Sequence, residues 1–463
     1  MIGKVLESSA LEITTRMEFE DFEKNKDNLK IGKYLQISIG NHESLIASIK
    51  GIKAIADNDN KEKYIMTAEP IGIIDDNGFS PGSTLLPSPT EPVDIAGQDV
   101  LDKIFQDNKK YSFPLGHLVQ NKEVKLNIDG NTFFSKHIGI VGSTGSGKSC
   151  TVAKILQEVV GIQEAGNVNI VQQKNAHIII FDIHSEYKSA FTLADEQKFS
   201  LNYLDVEKLK LPYWLMNSEE LESIFIESNE SNSHNQISQF RRAVILNKEK
   251  YNPSLSKVTY DTPVYFSIEE VYNYISNMND EVISKIANEE QVPKIINDKK
   301  EQEAIRDRKR YFEERYTFIP TSTAAASKAS NGPFNGEFNR FISRLDNKIN
   351  DRRLEFLMKP QKENGNVYTS DDFDEILKQF LGYLNKANVS IIDLSGVPFE
   401  VLSITISLIS RIVFDFCFHF SKLKHERNEV NDVPFMIVCE EAHNYVPRSG
   451  SVDYAASKKS IER

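Results

Sequence analysis

Residues 142–149 read Gly142-Ser143-Thr144-Gly145-Ser146-Gly147-Lys148-Ser149 and fill every position of the Walker A pattern G-x-x-x-x-G-K-[ST]. The apolar run Ile138-Gly139-Ile140-Val141 precedes them, and a helical pattern begins near Lys148. Glycines let such a loop turn so that successive N–H groups point at phosphate oxygens, while the helix N-terminus adds the positive end of its dipole. A glycine-rich turn without a ligand is the alternative. The complete pattern, between a buried strand and a helix, favours a nucleotide-binding loop.

The Walker A pattern assigns roles to individual residues. We expect Lys148 to contact the β- and γ-phosphates of ATP and to act in catalysis, and we expect Ser149 to ligate Mg²⁺. The residues expected to bind the nucleotide are Gly142, Ser143, Thr144, Gly145, Ser146, Gly147, Lys148, Ser149 and Cys150. ATP and Mg²⁺ are therefore the predicted cofactors.

A second run, Phe435-Met436-Ile437-Val438-Cys439-Glu440-Glu441, is an apolar strand that ends in two carboxylates, as a Walker B motif does. Adjacent residues at a strand end point in different directions, so one acid can face the metal while the next polarises the attacking water. We assign Glu440 to Mg²⁺, directly or through water, and Glu441 to the general base. A strand that ends in solvated acids is the alternative, and the accompanying Walker A motif favours the catalytic interpretation.

A third run, Asp182-Ile183-His184-Ser185-Glu186-Tyr187, follows another apolar strand, at the sheet edge where α/β folds bind ligands. We expect Asp182, His184 and Glu186 to line the nucleotide or a subunit interface, and a capped loop without chemical duty is the alternative. His443, which follows the acid pair, either senses the γ-phosphate or satisfies a buried polar site.

Strand patterns divide the chain into two parts. Residues 1–100 hold short strands such as Tyr34–Ile39, and turns such as Asp76-Asn77-Gly78 separate them, which predicts a small β-barrel followed by the Pro-rich connector 81–92. Residues 101–463 alternate helical patterns with strands that are apolar throughout, which predicts an α/β domain with a parallel sheet. Its predicted strands are 138–141, 178–181, 389–394 and 435–439.

A long charged stretch, at about 215–360, interrupts the α/β pattern and predicts an inserted helical subdomain. Within it, residues 301–315 carry so many charges that they predict a solvated helix face rather than a DNA-binding helix.

Composition excludes several classes of protein. The 463 residues are 40% hydrophobic and 26% charged, which is typical of globular chains of more than one domain. The net charge of -12 argues against a uniformly basic nucleic-acid coat, although an acidic exterior can enclose a basic channel. Cys150, Cys417 and Cys439 form no C-x-x-C pair, so we interpret them as buried thiols in a reducing compartment. Without a signal-like run or 18 consecutive apolar residues, the chain is predicted to be cytoplasmic, with no membrane partner.

The chain resembles the HerA-type ATPases of the HerA/FtsK superfamily across nearly its whole length. Four stretches carry the resemblance, namely 136–149, Phe181–Tyr187, Leu211-Pro212-Tyr213-Trp214-Leu215-Met216, and Glu440-Glu441-Ala442-His443-Asn444-Tyr445-Val446-Pro447. The β-rich N-terminus is similar to the small HAS-type barrel that precedes the motor core in this family.

The resemblance implies a RecA-like core assembled as a homo-hexameric ring, with ATP sites between neighbours and a channel that threads double-stranded DNA. It also implies a separate effector protein: a NurA-type nuclease in DNA end processing, or a sirtuin-type NADase or another nuclease in antiphage defence. The sequence departs from the family at 458–463, where relatives continue into an arginine-bearing helix and a further core strand. We therefore expect the C-terminal part of the core to be missing.

Three functions compete at this point. The first is a motor that couples ATP hydrolysis to movement of DNA. The second is an ATP-binding hexameric scaffold that gathers and regulates an effector enzyme without moving DNA, since an array gains avidity without a motor. A P-loop kinase for a small substrate is the third, which the long insertion and the doubled acids disfavour. Candidates for a trans-acting arginine are Arg340, Arg344, Arg352 and Arg353, although surface ion pairs are the simpler interpretation of all four.

Overall fold

The computed structural model describes residues 1–40, 43–56, 62–82, 85–106, 112–119, 121–162, 176–192, 199–226, 233–430 and 433–446. Pro447 of the last family stretch and the C-terminal residues 458–463 lie outside these ranges. The chain divides into two compact units, Met1–Val159 and Val160–Arg463.

The first unit consists mainly of antiparallel strands. Its strands are β1 (Gly3–Ser8), β2 (Ile13–Glu18), β3 (Tyr34–Ile39), β4 (Glu43–Ala56), β5 (Glu62–Asp75), β6 (Gly78–Pro81), β7 (Pro92–Ile95), β8 (Ser112–Leu118) and β9 (Asn121–Asp129). Its helices are α1 (Phe19–Asn25), α2 (Gln98–Phe105), α3 (Gly130–Phe134) and α4, which begins at Lys148 and ends at Val160. The helix predicted to begin near Lys148 is therefore confirmed.

Strands β1–β5 and β7 close into a barrel. The sheet order is β2-β1-β7-β3-β4-β5-β6, and an additional pairing of β2 with β5 joins the two ends of the six-strand part. Bulges near Ile46 and Gly51 in the long strand β4 let it bend around the barrel. Alternate residues of the strands point inward and form an apolar core that includes Leu35, Ile37 and Leu45. The predicted N-terminal barrel is present in this form.

The Pro-rich connector lies within the barrel sheet. It joins β6 to β7, and β7 pairs with both β1 and β3. Helix α2 follows at once and packs with β9 on a smaller apolar cluster that contains Val100, Leu101 and Val124. The first compact unit therefore extends past residue 100, as far as Val159.

The second unit is a mixed α/β structure. Its strands are β10 (His177–Asp182), β11 (Phe199–Leu204), β12 (Val282–Ser284), β13 (Lys294–Ile296), β14 (Gln302–Ala304), β15 (Ala329–Asn331), β16 (Ala387–Asp393) and β17 (Phe435–Cys439). Its helices are α5 (Lys188–Phe191), α6 (Ser218–Phe225), α7 (Ser233–Tyr251), α8 (Ile268–Asp280), α9 (Asn339–Ile349), α10 (Glu355–Met358), α11 (Phe373–Leu381) and α12 (Phe399–Glu426).

Four of these strands form a parallel sheet in the order β11-β16-β10-β17. Every residue of β10 and β16 is buried, as expected for strands covered on both faces. Three of the predicted strands, in β10, β16 and β17, are thereby confirmed. The strand predicted at 138–141 is wrong: no strand is assigned there, and Val141 is 94% exposed. An apolar run becomes a strand only when a neighbour takes up its backbone hydrogen bonds, and none of the described strands pairs with this run.

The connection from β11 to β16 contains helices α6–α11 and the short strands β12–β15. Its apolar side chains belong to the same continuous core as the sheet, which includes Phe181 of β10 and Phe240 of α7. The helix expected at 301–315 is wrong, because this segment forms β14 and a 3-10 helix, Arg308–Phe312. Tyr311 and Phe312 are fully buried there, so the charged pattern conceals two core aromatics.

The family stretch 211–216 ties this connection together. Tyr213, in a 3-10 helix Tyr213–Leu215, donates its hydroxyl hydrogen to the carbonyl of Phe266 at 2.6 Å. The Trp214 indole N–H donates to the carbonyl of Tyr368 at 3.0 Å. Both side chains are buried, so these bonds fix distant parts of the connection to one point.

Helix α12 is the longest helix of the described ranges. It is apolar and long enough to cross a membrane, with a mean hydropathy of 1.9, but 67% of that apolar window is buried inside the unit. A core helix has the same features, and the buried residues from Val401 to Val413 pack in the core of the unit.

Candidate nucleotide site

The glycine-rich loop has the backbone that a phosphate-binding loop requires. Gly145 and Gly147 have φ angles of 78° and 88°, in the left-handed region that side chains disfavour. A side chain at Gly142 would meet the Ser146 hydroxyl at 2.4 Å. The loop then enters α4, whose first N–H groups have no partner within the helix. The loop and the helix N-terminus together form an anion-binding backbone.

Side chains of the loop lie at the surface of the first unit. The Lys148 ammonium donates to the carbonyl of Ser143 at 3.3 Å, so it lies over the loop that it is expected to serve. Lys148 and Ser149 are half-buried. Cys150 is exposed, and the prediction that all three thiols are buried is wrong for this one. Cys417 and Cys439 are partly buried.

Acids follow three neighbouring strands of the parallel sheet. Asp182 ends β10, Asp393 ends β16 as its register partner, and Glu440 follows β17. The carboxyl ends of parallel strands share one edge, which is the ligand-binding edge of open α/β sheets. The structure therefore brings together Asp182 and Glu440, two residues that the sequence had singled out, and it adds Asp393.

Glu440 is turned toward the protein. It is 8% exposed, and its Oε2 accepts hydrogen bonds from the backbone N–H of Ile183 at 2.9 Å and of His184 at 3.4 Å. Burial, together with the neighbouring Asp182 carboxyl, raises the pKa of Glu440 to about 7. In the described structure Glu440 thus anchors the loop that follows β10.

Because of this raised pKa, we expect the free energy of unfolding to depend on Glu440. The folded state keeps a proton that an ordinary glutamate, with a pKa of 4.5, has released. The stabilisation is therefore complete below about pH 4.5 and is lost as the pH rises through the folded pKa, near pH 7. Urea unfolding between about pH 5 and pH 8 should show this decline in wild type and a flatter profile in Glu440→Gln.

The control for this measurement is Glu426→Gln, which removes an exposed carboxylate from the end of α12. Its unfolding profile should follow that of wild type. Equal slopes for wild type and Glu440→Gln would show that Glu440 does not hold the proton.

Glu441 adopts an unusual backbone conformation. Its φ and ψ angles are 45° and 44°, a left-handed conformation that is rare for a residue with a side chain and often marks functional sites. The buried Tyr445 stabilises this turn, since its hydroxyl donates to the carbonyl of Glu440 at 2.8 Å. His443 Nδ1 lies 3.3 Å from Glu441 Oε2, and the His443 side chain is 74% exposed. His443 therefore does not satisfy a buried polar site.

The loop from Ile183 to Tyr187 presents exposed polar residues. Asp182 accepts hydrogen bonds from the backbone N–H groups of Glu186 and Tyr187, both at 3.0 Å, so the loop folds back on the end of β10. The His184 and Glu186 side chains remain exposed. The loop is capped, which agrees with the alternative of a capped loop. It also exposes His184 and Glu186, the two side chains expected to line the nucleotide or a subunit interface.

Magnesium coordination is compatible with the residues present. Within the described ranges, no group of three His, Cys, Asp or Glu side chains forms a metal site by itself. Mg²⁺ in nucleotide enzymes needs no such group, because waters and phosphate oxygens complete its shell. The half-buried Ser149 at the start of α4 has the hydroxyl that this chemistry uses.

The candidate arginines differ in their surroundings. Arg353 forms an exposed ion pair with Asp351 at 2.7 Å, and Arg344 donates to the carbonyl of Phe225 at 3.0 Å. Arg340 and Arg352 are exposed, and no ion pair is described for either within the ranges given above.

Comparison with known proteins matches part of this chain to a described family. Residues 113–349, more than half of the chain, match the family model described as the central domain of helicase HerA. A probable DNA double-strand break repair helicase HerA of Methanocaldococcus jannaschii is 26% identical over 178 residues, which cover 38% of this chain and 31% of that protein. A probable helicase of the same organism is 28% identical over 186 residues, or 36% of this chain and 33% of that protein.

A third relative is the DNA double-strand break repair helicase HerA of Saccharolobus solfataricus. It is 42% identical over 74 residues, which cover 16% of this chain and 12% of that protein. The chain thus spans about a third or less of the length of the relatives it matches.

Proposed function

Because this chain belongs to the HerA helicase family, we propose that it is an ATP-hydrolysing ring motor that moves double-stranded DNA. One observation carries the proposal: the complete Walker A loop holds Gly145 and Gly147 in the left-handed region and opens directly into α4, within the residues that match the family. The names of two relatives, which describe DNA double-strand break repair helicases, support DNA as the substrate.

Each site residue has a chemical role in this proposal. The loop N–H groups and Lys148 bind the phosphates and stabilise the charge that develops during transfer. Glu441 accepts a proton from water, the water oxygen bonds to the γ-phosphorus, and the bond to the β,γ-bridging oxygen breaks, which gives ADP and phosphate. Bound Mg²⁺, held by Ser149, would neutralise phosphate charge. Glu440 would contact the ion through water, and Asp182, His184, Glu186 and His443 support these groups.

The assembly forms the finer part of the proposal. We propose a cytoplasmic homo-hexamer with a RecA-like core, in which residues at about 215–360 are an inserted helical subdomain and an effector nuclease or NADase acts beside the ring. The family resemblance supports this assembly. If the ring only gathers an effector, ATP turnover will respond to that effector and not to DNA.

The test is ATP turnover of the full-length protein with and without duplex DNA. We expect DNA to stimulate ATP turnover of the wild type. In Lys148→Ala we expect ATP turnover to fall by about 10²-fold or more, since the Lys148 ammonium acts on the transferring phosphoryl group. The control is Lys154→Ala, which removes a lysine of the same helix that pairs with Glu158 at 2.8 Å. Two results would contradict the proposal of a DNA motor: wild-type ATP turnover that is the same with and without DNA, or ATP turnover of Lys148→Ala equal to that of Lys154→Ala.

A further inference from the structure

The loop Ile183–Tyr187 is held by acids from three neighbouring strands. Glu440, after β17, accepts from the N–H groups of Ile183 and His184, and Asp182 of β10 accepts from those of Glu186 and Tyr187. Asp393 of β16 binds the remaining residue, because its Oδ2 accepts the Ser185 hydroxyl at 2.7 Å. Every residue of the loop is thus tied to the sheet edge.

Ser185 is the strained residue of this loop. Its φ angle is 58°, in the left-handed region that is unfavourable for a residue with a side chain. Such strain persists only where the surroundings over-determine the conformation. The Ser185 hydroxyl donates to Asp393 and also lies 3.4 Å from the Tyr203 hydroxyl, so these side-chain contacts offset the strain and fix the loop at its middle residue.

Asp393 is arranged as a fixed acceptor. Its Oδ2 also accepts the Tyr203 hydroxyl, and its Oδ1 accepts the N–H of Ser395 at 3.0 Å. These hydrogen bonds lower the pKa of Asp393 in spite of its burial, so the carboxylate is ionised at neutral pH. None of the hydrogen-bond partners described for Asp393 is a cation. A buried carboxylate without a counter-ion costs free energy, and here it serves to hold the loop.

We propose that Asp393 is a positioning residue for ATP hydrolysis. Through Ser185 it fixes the loop so that the exposed His184 and Glu186 keep one orientation at the carboxyl edge of the sheet. This inference rests on the proposed ATPase function. Neither Asp393 nor Ser185 touches substrate in this scheme, and their effect passes through the geometry of the loop.

The test compares full-length Asp393→Ala, Ser185→Gly and the double variant in steady-state ATP hydrolysis. Glycine removes the hydroxyl and relieves the backbone strain, so any loss reports the missing hydrogen bond. We expect each single variant to lower kcat by about 10²-fold, the effect of a misplaced group, while the KM for ATP changes little. Because Asp393 and Ser185 act through the hydrogen bond that joins them, the double variant should be no slower than Asp393→Ala.

Ser189→Gly is the matched control, since Ser189 is an exposed serine of α5 four residues further on. Hydrogen exchange of the Ile183–Tyr187 amides gives a readout independent of activity, and it should rise in both single variants but not in the control. If Ser185→Gly leaves kcat unchanged, or if the losses of the two single variants multiply in the double variant, Asp393 is not a positioning residue. Either result leaves the proposed ATPase function standing. A wild type without ATP turnover would overturn the proposed function and this inference together.

Discussion

Replacement of Glu441 by glutamine is expected to lower ATP turnover by about 10²- to 10⁴-fold while ATP binding is retained, because glutamine has the same shape but cannot accept the proton of the attacking water. The left-handed backbone of Glu441 and the Tyr445 bond that stabilises the turn give the side chain a fixed direction. Glu440, its neighbour, is committed to the N–H groups of Ile183 and His184. The contact described for the Glu441 carboxylate is with the exposed His443 at 3.3 Å, so we propose Glu441, rather than Glu440, as the acid that meets the attacking water.

Single-turnover hydrolysis and ATP binding, measured on the same preparation, separate the two effects. Binding within a factor of about two of wild type, with a slow chemical step, is the expected pattern. Glu429→Gln, which removes an exposed acid paired with Lys424 at 2.7 Å, is the control and should hydrolyse ATP normally. Should Glu441→Gln keep its rate while Glu440→Gln loses it, the roles of the two acids would be reversed.

The sequence predicted elements whose signal is local. The Walker A glycines, the start of α4 and the strands β10, β16 and β17 follow from residue type and spacing alone. The barrel strands were also visible as short alternating runs. A barrel was predicted from them, but the pairing of β2 with β5 that closes it was not, because these two strands lie far apart in the chain and no local pattern encodes their register.

The errors have physical reasons. The apolar run 138–141 has the composition of a buried strand, but apolar composition does not supply the neighbour that a strand needs. Residues 301–315 looked solvated because charges dominate them. Arg308 instead forms a partly buried ion pair with the fully buried Glu281, beside the buried Tyr311. Charge counts do not reveal which charges are paired inside the protein.

Asp393 shows what sequence reasoning overlooked at the candidate site. It ends an apolar strand, as Asp182 does, so the rule that selected Asp182 applies to it equally. The contacts of Asp393 with the loop could not be predicted from that rule. They depend on Ser185 and Tyr203, which lie about 190 to 208 positions away in the chain. The pairing of β16 with both β10 and β11 brings these residues together.

The second large effect is expected in stability. Arg411→Met should lower the free energy of unfolding by about 3–5 kcal/mol, the cost of leaving a buried carboxylate without its partner. Arg411 on α12 binds Glu220 on α6 through Nη2 at 2.8 Å and Nε at 3.3 Å. It also donates to the carbonyl of Leu215 at 2.8 Å. Glu220 is fully buried, and Ser407 donates to it at 3.0 Å.

The ion pair joins the family stretch 211–216 to the long core helix. Glu220 closes a capping box with Asn217 at the start of α6, so the loss of Arg411 leaves a charge in the core and also perturbs a helix start. Urea unfolding at neutral pH measures the effect. The control is Arg353→Met, which breaks an ion pair whose arginine is 66% exposed and should cost less than about 1 kcal/mol.

Adding Glu220→Gln to Arg411→Met separates charge from packing. The amide carries no charge and still accepts the N–H of Asn217, so we expect the double variant to recover more than about 1 kcal/mol relative to Arg411→Met. Recovery would show that the destabilisation comes from the unpaired carboxylate. The opposite outcome is a double variant that is no more stable than Arg411→Met. Arg411 then acts through its contact with the Leu215 carbonyl and its aliphatic packing against α6. In that case the charge of Glu220 has little part in holding α12 to the core.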